Sequence, residues 1–192
     1  TSIVWKKYHN PDDLPEALRW NEEIARDLKD GHSPLMKWYL KDFYIQYTDG
    51  IPYKLKAPFD FLFLSKYGKV FKVFDNQDSG NICFGVTDGI KKYFIKFAGA
   101  PTARACVSAG EAVANLKRTE PVYHDLAHPN LIRLIASEEI GDGFAMIFEW
   151  SDAECMHPMY PRSRQKFLQM TLETRYQVFE EILEFHIHAA KK

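Results

Sequence analysis

An α+β fold built on a five-stranded antiparallel sheet is what this sequence predicts, and three observations carry it. Runs rich in Val, Ile and Phe recur at Lys69–Phe74, Ile82–Thr87, Lys91–Ala98, Leu131–Ile140 and Phe144–Glu149. Turn signals separate them at Asp75–Asn81, at Asp88-Gly89 and at Gly141-Asp142-Gly143. A helical pattern, Cys106, Ala109, Val113 and Leu116, falls between the third run and the fourth.

Residues 1–60 read as a helical extension. Asp13-Leu14-Pro15-Glu16 forms a capping box with an early proline, Ala17, Trp20, Ile24 and Leu28 follow at helical spacing, and Gly31 ends the run. A short helix is expected around Leu35–Phe43, then irregular chain punctuated by Gly50, Pro52 and Pro58, the whole serving as a packing or docking segment. Residues 61–150 hold the sheet. Thr102 is the expected cap of its helix, which should run to about Arg118 and be broken or restarted at Pro121. Residues 151–192 begin as a loop with Pro158 and Pro161 and continue as a short helix over Arg162–Met170. Thr171 then caps a last helix. Its two stripes are Tyr176, Phe179, Leu183, His186 and Ala190, and Val178, Ile182, Phe185 and Ala189. A helix apolar over that much of its girth is normally buried on more than one side. Exposed apolar surface, and with it a homodimer or swapped arrangement, is therefore expected there.

The bulk numbers exclude several classes. The chain has 192 residues, 46% hydrophobic, enough for a sizeable core. With 25 Lys and Arg against 26 Asp and Glu, the net charge is −1, which gives no electrostatic case for a nucleic-acid or membrane-surface protein. No apolar run approaches the roughly 18 residues of a membrane span, and the first residues carry no signal-peptide pattern. Cys83, Cys106 and Cys155 form no Cys-x-x-Cys pair and are odd in number, so a reduced, cytoplasmic protein is expected.

Lys96 stands out chemically. It sits in the middle of Lys91–Ala98, a run apolar on both faces. A buried ammonium needs an anion, either a carboxylate or a ligand's phosphate. The alternative is an edge strand from which Lys96 reaches solvent.

Five strands with a helix after the third, together with several local motifs, resemble the small lobe of protein kinases, closest to bacterial serine/threonine-kinase-like proteins with an N-terminal extension. Phe94-Ile95-Lys96 is similar to the third-strand Val-Ala-Ile-Lys motif. His128-Pro129-Asn130-Leu131-Ile132-Arg133-Leu134 is similar to the link into the fourth strand, and Met146-Ile147-Phe148-Glu149-Trp150 to the fifth strand and hinge. The last helix resembles the one that leads into the catalytic loop. The resemblance covers roughly residues 66–192 and implies ATP and Mg²⁺ bound between a small and a large lobe, with transfer to Ser or Thr hydroxyls of a protein substrate. It implies Lys96 on the α- and β-phosphates, a helix glutamate on Lys96, and the Asp75–Asn81 loop, with Ser79 and Gly80, over the phosphates. Ile82 and Phe148 would line the adenine slot, backbone groups of Glu149 and Ser151 would read the adenine edge, and Glu154 would lie near the ribose. The helix glutamate is Glu120, Glu111 or neither.

The chain also departs from the pattern. Asp75 and Gln77 stand where the first two loop glycines belong, and Asp75 and Asp78 would repel phosphates. Phe94 replaces a small alanine on the face of Lys96, where its ring would fill the adenine site. No His-Arg-Asp or Asp-Phe-Gly motif occurs, so no catalytic residue is assigned within this chain, which reads as the N-terminal part of a longer phosphotransferase. A non-catalytic kinase-like binding module and a small-molecule phosphotransferase of the aminoglycoside or choline type are the other readings. The pairs His124/His128 and His186/His188 lack further ligands at metal spacing, and Arg162, Arg164 and Lys166 read as a solvated helix face.

Overall fold

A computed structural model describes residues 43–153 and 161–192. The helices expected before residue 43, and Glu154, lie outside the described residues.

Strand β1 (Tyr44–Thr48) and strand β2 (Ile51–Leu55) form an antiparallel hairpin where irregular chain was expected. The signal is local. Asp49 and Gly50 both take positive φ, 51° and 83°, which is the geometry of a two-residue turn whose twist matches its strands. A 3₁₀ turn at Leu62–Lys66 follows.

Strands β3 (Lys69–Phe74), β4 (Asn81–Thr87), β5 (Lys92–Ala98), β6 (Leu134–Ile140) and β7 (Gly143–Glu149) make the five-stranded sheet in the order β3-β4-β5-β7-β6. Every neighbouring pair is antiparallel, as the sequence predicts. Helix α1 (Ala109–Asp125) lies between β5 and β6 in the chain. Its cap is Ser108, not Thr102: the Ser108 side chain accepts from the Glu111 amide, and the Glu111 carboxylate accepts from the Ser108 amide. Thr102 instead bridges to Leu55 and is buried, its backbone drawn back toward Ala100. Nor does Pro121 break the helix. A proline there forfeits one backbone bond and crowds the preceding turn, at about 3 kcal/mol. Packing holds the helix together across it, because Ala112 and Leu116 are buried before Pro121 and the Tyr123 ring meets Phe148 after it, centroids 4.9 Å apart.

The sheet buries both faces. On one face Ile82, Phe84, Ile95 and Phe97 pack with Tyr53 and Leu55 of β2 and with Phe61 and Leu64 of the 3₁₀ turn. On the other, Ala98, Phe144, Met146 and Phe148 pack with Ala112 and Leu116 of α1. Strand β5 feeds both cores by alternation. A bulge between Val70 and Lys72 adds a residue to β3 beside this second face.

Helices α2 (Pro161–Gln169) and α3 (Leu172–Ala189) follow, the second capped by Thr171 as expected. Helix α3 meets the α1–β6 link, where Asn130 Nδ2 donates to the Glu181 carbonyl at 3.1 Å and the His128 ring lies 5.0 Å from that of His188. His128 Nδ1 also accepts from the Asn130 amide at 3.1 Å and so closes the turn around Pro129. Tyr176, Phe179, Leu183 and Ile187 of α3 are exposed.

Replacing Pro121 with Ala restores the missing amide inside α1. Urea unfolding should show the variant about 1–3 kcal/mol more stable, and a loss of stability would mean that the ring's own packing outweighs the missing bond.

Candidate functional site

The sheet's register sets Lys96 in a row that crosses all five strands: Phe74, Cys83, Lys96, Met146 and Ser137. Lys96 shares the parity of Phe94 and Ala98, so the whole row lies on the α1 face. The edge-strand alternative for Lys96 fails, because β5 pairs with β4 on one side and β7 on the other. Among the described residues no carboxylate forms an ion pair with Lys96. Its cross-strand neighbour is the buried Cys83 thiol, which burial pushes up to about 12 while the Lys96 charge pulls the other way.

Neither candidate glutamate reaches Lys96. The Glu120 carboxylate accepts a hydrogen bond from the Ser137 hydroxyl, over β6. Met146 lies between Ser137 and Lys96 in the register, so the two backbones are two strand spacings apart, about 10 Å. Thr119, the residue before Glu120, donates its hydroxyl to the Leu116 carbonyl at 2.7 Å, with the Met146 sulfur 3.6 Å from the same oxygen. Glu111 is held at the start of α1 by the Ser108 amide and hydroxyl at 2.9 and 2.7 Å, bonds that lower its pKa.

The loop at residues 75–81 is bound inward. Asp75 is buried and its carboxylate accepts from the Lys54 backbone amide at 2.8 Å, so it fastens β2 to the end of β3 and does not face a phosphate. The Asp78 carbonyl accepts from the Cys106 amide at 2.9 Å, and Ser79 Oγ accepts from Asn81 Nδ2 at 2.9 Å. Gly80 has φ 78°, and a Cβ there would lie 2.8 Å from the Cβ of Ala112. Close packing against α1 is thus one reason for a glycine at this position.

Ile82 and Phe148 do not meet. Ile82 belongs to the core on the outer face and Phe148 to the α1 core. What flanks Phe148 is a group of aromatic rings only partly foreseen. Phe94 lies 5.8 Å from Phe74, 6.1 Å from Phe148 and 6.5 Å from Trp150, and Phe71 lies 4.8 Å from Trp150. Phe71, Phe74, Phe94 and Trp150 are half-buried, whereas Phe148 is buried. Gly85 lets the group form, since a Cβ there would come within 2.8 Å of both the Phe71 and Trp150 rings. The Lys72 ammonium lies 4.9 Å from the Phe74 ring, and that of Lys92 5.8 Å from the Phe71 ring. The β3 bulge is what turns Phe71 as well as Phe74 toward this face, and a sequence read at strict period two does not reveal it.

At the end of β7 the Glu149 amide donates to the Arg133 carbonyl at 3.0 Å, and the Trp150 amide to the Lys92 carbonyl at 3.2 Å. The Glu149 side chain takes Arg133 Nε at 3.0 Å, and Ser151 Oγ accepts from the Ala153 amide at 3.1 Å. A cleft of about 730 Å³ opens beside this segment, between Tyr123, Leu131, Leu134 and Trp150, but Lys96 and Phe94 do not line it.

Among the described residues no group of three or more His, Cys, Asp or Glu side chains could hold a metal ion, and no helix is long and apolar enough to cross a membrane. No family model, curated protein or solved structure matches the chain.

The burial of Cys83 has a chemical consequence. Alkylation by iodoacetamide near pH 8, followed by peptide mass spectrometry, should label the exposed Cys106 well before Cys83. Equal rates would show that the α1 face opens readily.

Proposed function

We propose that this chain contains the nucleotide-binding small lobe of a protein-kinase-like phosphotransferase, with Lys96 as its phosphate ligand. The observation that carries this reading is the position of Lys96: a cation at the centre of the helix-covered sheet face, with no protein carboxylate paired to it among the described residues. Lys96 is half-buried, and an ammonium so placed can take an anion supplied from outside. The order of elements, three strands, a helix and two strands, is consistent with the resemblance.

Phosphoryl transfer depends mainly on positioning and charge stabilisation. Lys96 would hold α- and β-phosphate oxygens of ATP and fix the triphosphate against the sheet. In the full phosphotransferase the acceptor would be a Ser or Thr hydroxyl, and this lobe's part is to bind and orient the nucleotide. The described residues do not fit a dedicated Mg²⁺ site.

A second reading, a non-catalytic kinase-like binding module, has its own support. Phe94 packs among Phe74, Phe148 and Trp150, where the resemblance puts the adenine, and Glu120 is bonded to Ser137.

Calorimetric titration with ATP and Mg²⁺ separates the two. The phosphotransferase reading expects saturable binding by the wild-type chain and at least a tenfold loss in Lys96→Ala, the scale of one charge-assisted contact at about 1.5–3 kcal/mol. Silence up to millimolar ATP, or binding indifferent to Lys96→Ala, would move the assignment to the binding module.

A further inference from the structure

We infer that the base of the bound nucleotide is held by stacking on the Phe94–Trp150 ring group and not by reading of its edge, so that the site takes purine nucleoside triphosphates with little preference between adenine and guanine. The inference rests on the nucleotide reading above and deepens it.

Three observations converge. The first is adjacency. Phe94 lies two residues before Lys96 on the same face of β5, a separation of about 7 Å along the strand. A base on that ring would have its phosphates extending toward the Lys96 ammonium. The second is the character of the surface. Phe71, Phe74, Phe94 and Trp150 are half-buried and present a tilted aromatic floor above Gly85, with Lys72 and Lys92 at its margin. Such a floor gains from the π-face of any base, because every base has one. The third is the state of the backbone beside it. The amides of Glu149 and Trp150 already donate to the carbonyls of Arg133 and Lys92, and the Glu149 carboxylate is engaged by Arg133. These two amides are therefore committed within the sheet and do not donate to a base edge.

Phe94 then becomes a base-binding residue. Its ring supplies affinity without selectivity, and its removal should weaken all nucleotides alike.

The test is a calorimetric titration of the whole chain with ATP, GTP and inorganic tripolyphosphate, each with Mg²⁺, on the wild type, Phe94→Leu and Lys96→Ala. Phe94→Leu keeps an apolar side chain of similar bulk, and circular dichroism checks that each variant is folded. The expected result is ATP and GTP within about threefold of each other. Both should weaken about tenfold in Phe94→Leu, the scale of one lost base–ring stack. Tripolyphosphate binding should be unchanged by Phe94→Leu and lost in Lys96→Ala. If ATP binds more than tenfold tighter than GTP, the base edge is being read and the inference is overturned while the nucleotide site stands. If Phe94→Leu binds nucleotides more tightly than the wild type, the ring is a plug and not a floor, and the inference is again overturned. If neither the nucleotides nor tripolyphosphate bind the wild type, the nucleotide reading itself fails and the inference falls with it.

Discussion

The structure depends on a single constraint, the alternation of strand β5 between two cores. Ile95 and Phe97 close the outer core, while Phe94 and Ala98 close the one beneath α1. A strand committed on both faces cannot slip by one residue without turning every side chain the wrong way. Lys96 is therefore fixed on the α1 face by its neighbours in the strand, with no ion-pair partner among the described residues. The same constraint propagates through the register to Cys83 on one side and Met146 on the other. The chemistry of the site is in this sense a by-product of packing, because the apolar residues decide where the Lys96 charge must stand.

The sheet was legible because its signals are local. Strand β3 is found where its Val and Phe residues put it, and the Asp88-Gly89 turn marks the β4–β5 hairpin. An equivalent signal at Asp49-Gly50 marks the hairpin of β1 and β2, and Pro52 and the surrounding aromatics distracted from it. The face of Ile82 was also within reach of the sequence. A hairpin loop of two residues or of four sets Lys96 opposite an odd-numbered residue of β4, and the structure pairs it with Cys83. The resemblance implies Ile82 in the slot, and parity corrects it.

The less legible features depend on long-range geometry. Whether a glutamate of α1 reaches Lys96 follows from where α1 begins and how it is rotated, and both are set by the Ser108 capping box and by Ala112 and Leu116. A cap at Thr102 and a cap at Ser108 give different helices, and only the second has the reciprocal glutamate. The inward turn of Asp75 is likewise invisible from its neighbours, because its partner is the amide of Lys54 on another strand pair. Phe94 could be foreseen as a ring in the site, but not the company it keeps, since Phe71 joins it only through a bulge.

The hairpin of β1 and β2 has a mechanical meaning. With the 3₁₀ turn it gives the sheet a lid on the face away from α1, and most of the large fully buried side chains lie beneath that lid. Helix α1 contributes only Ala112 and Leu116 as buried residues to the opposite side. Among the described residues the packing is thus asymmetric, a deep core on one side and a helix with two buried side chains on the other. The layer over the Lys96 face is the one that buries fewer side chains.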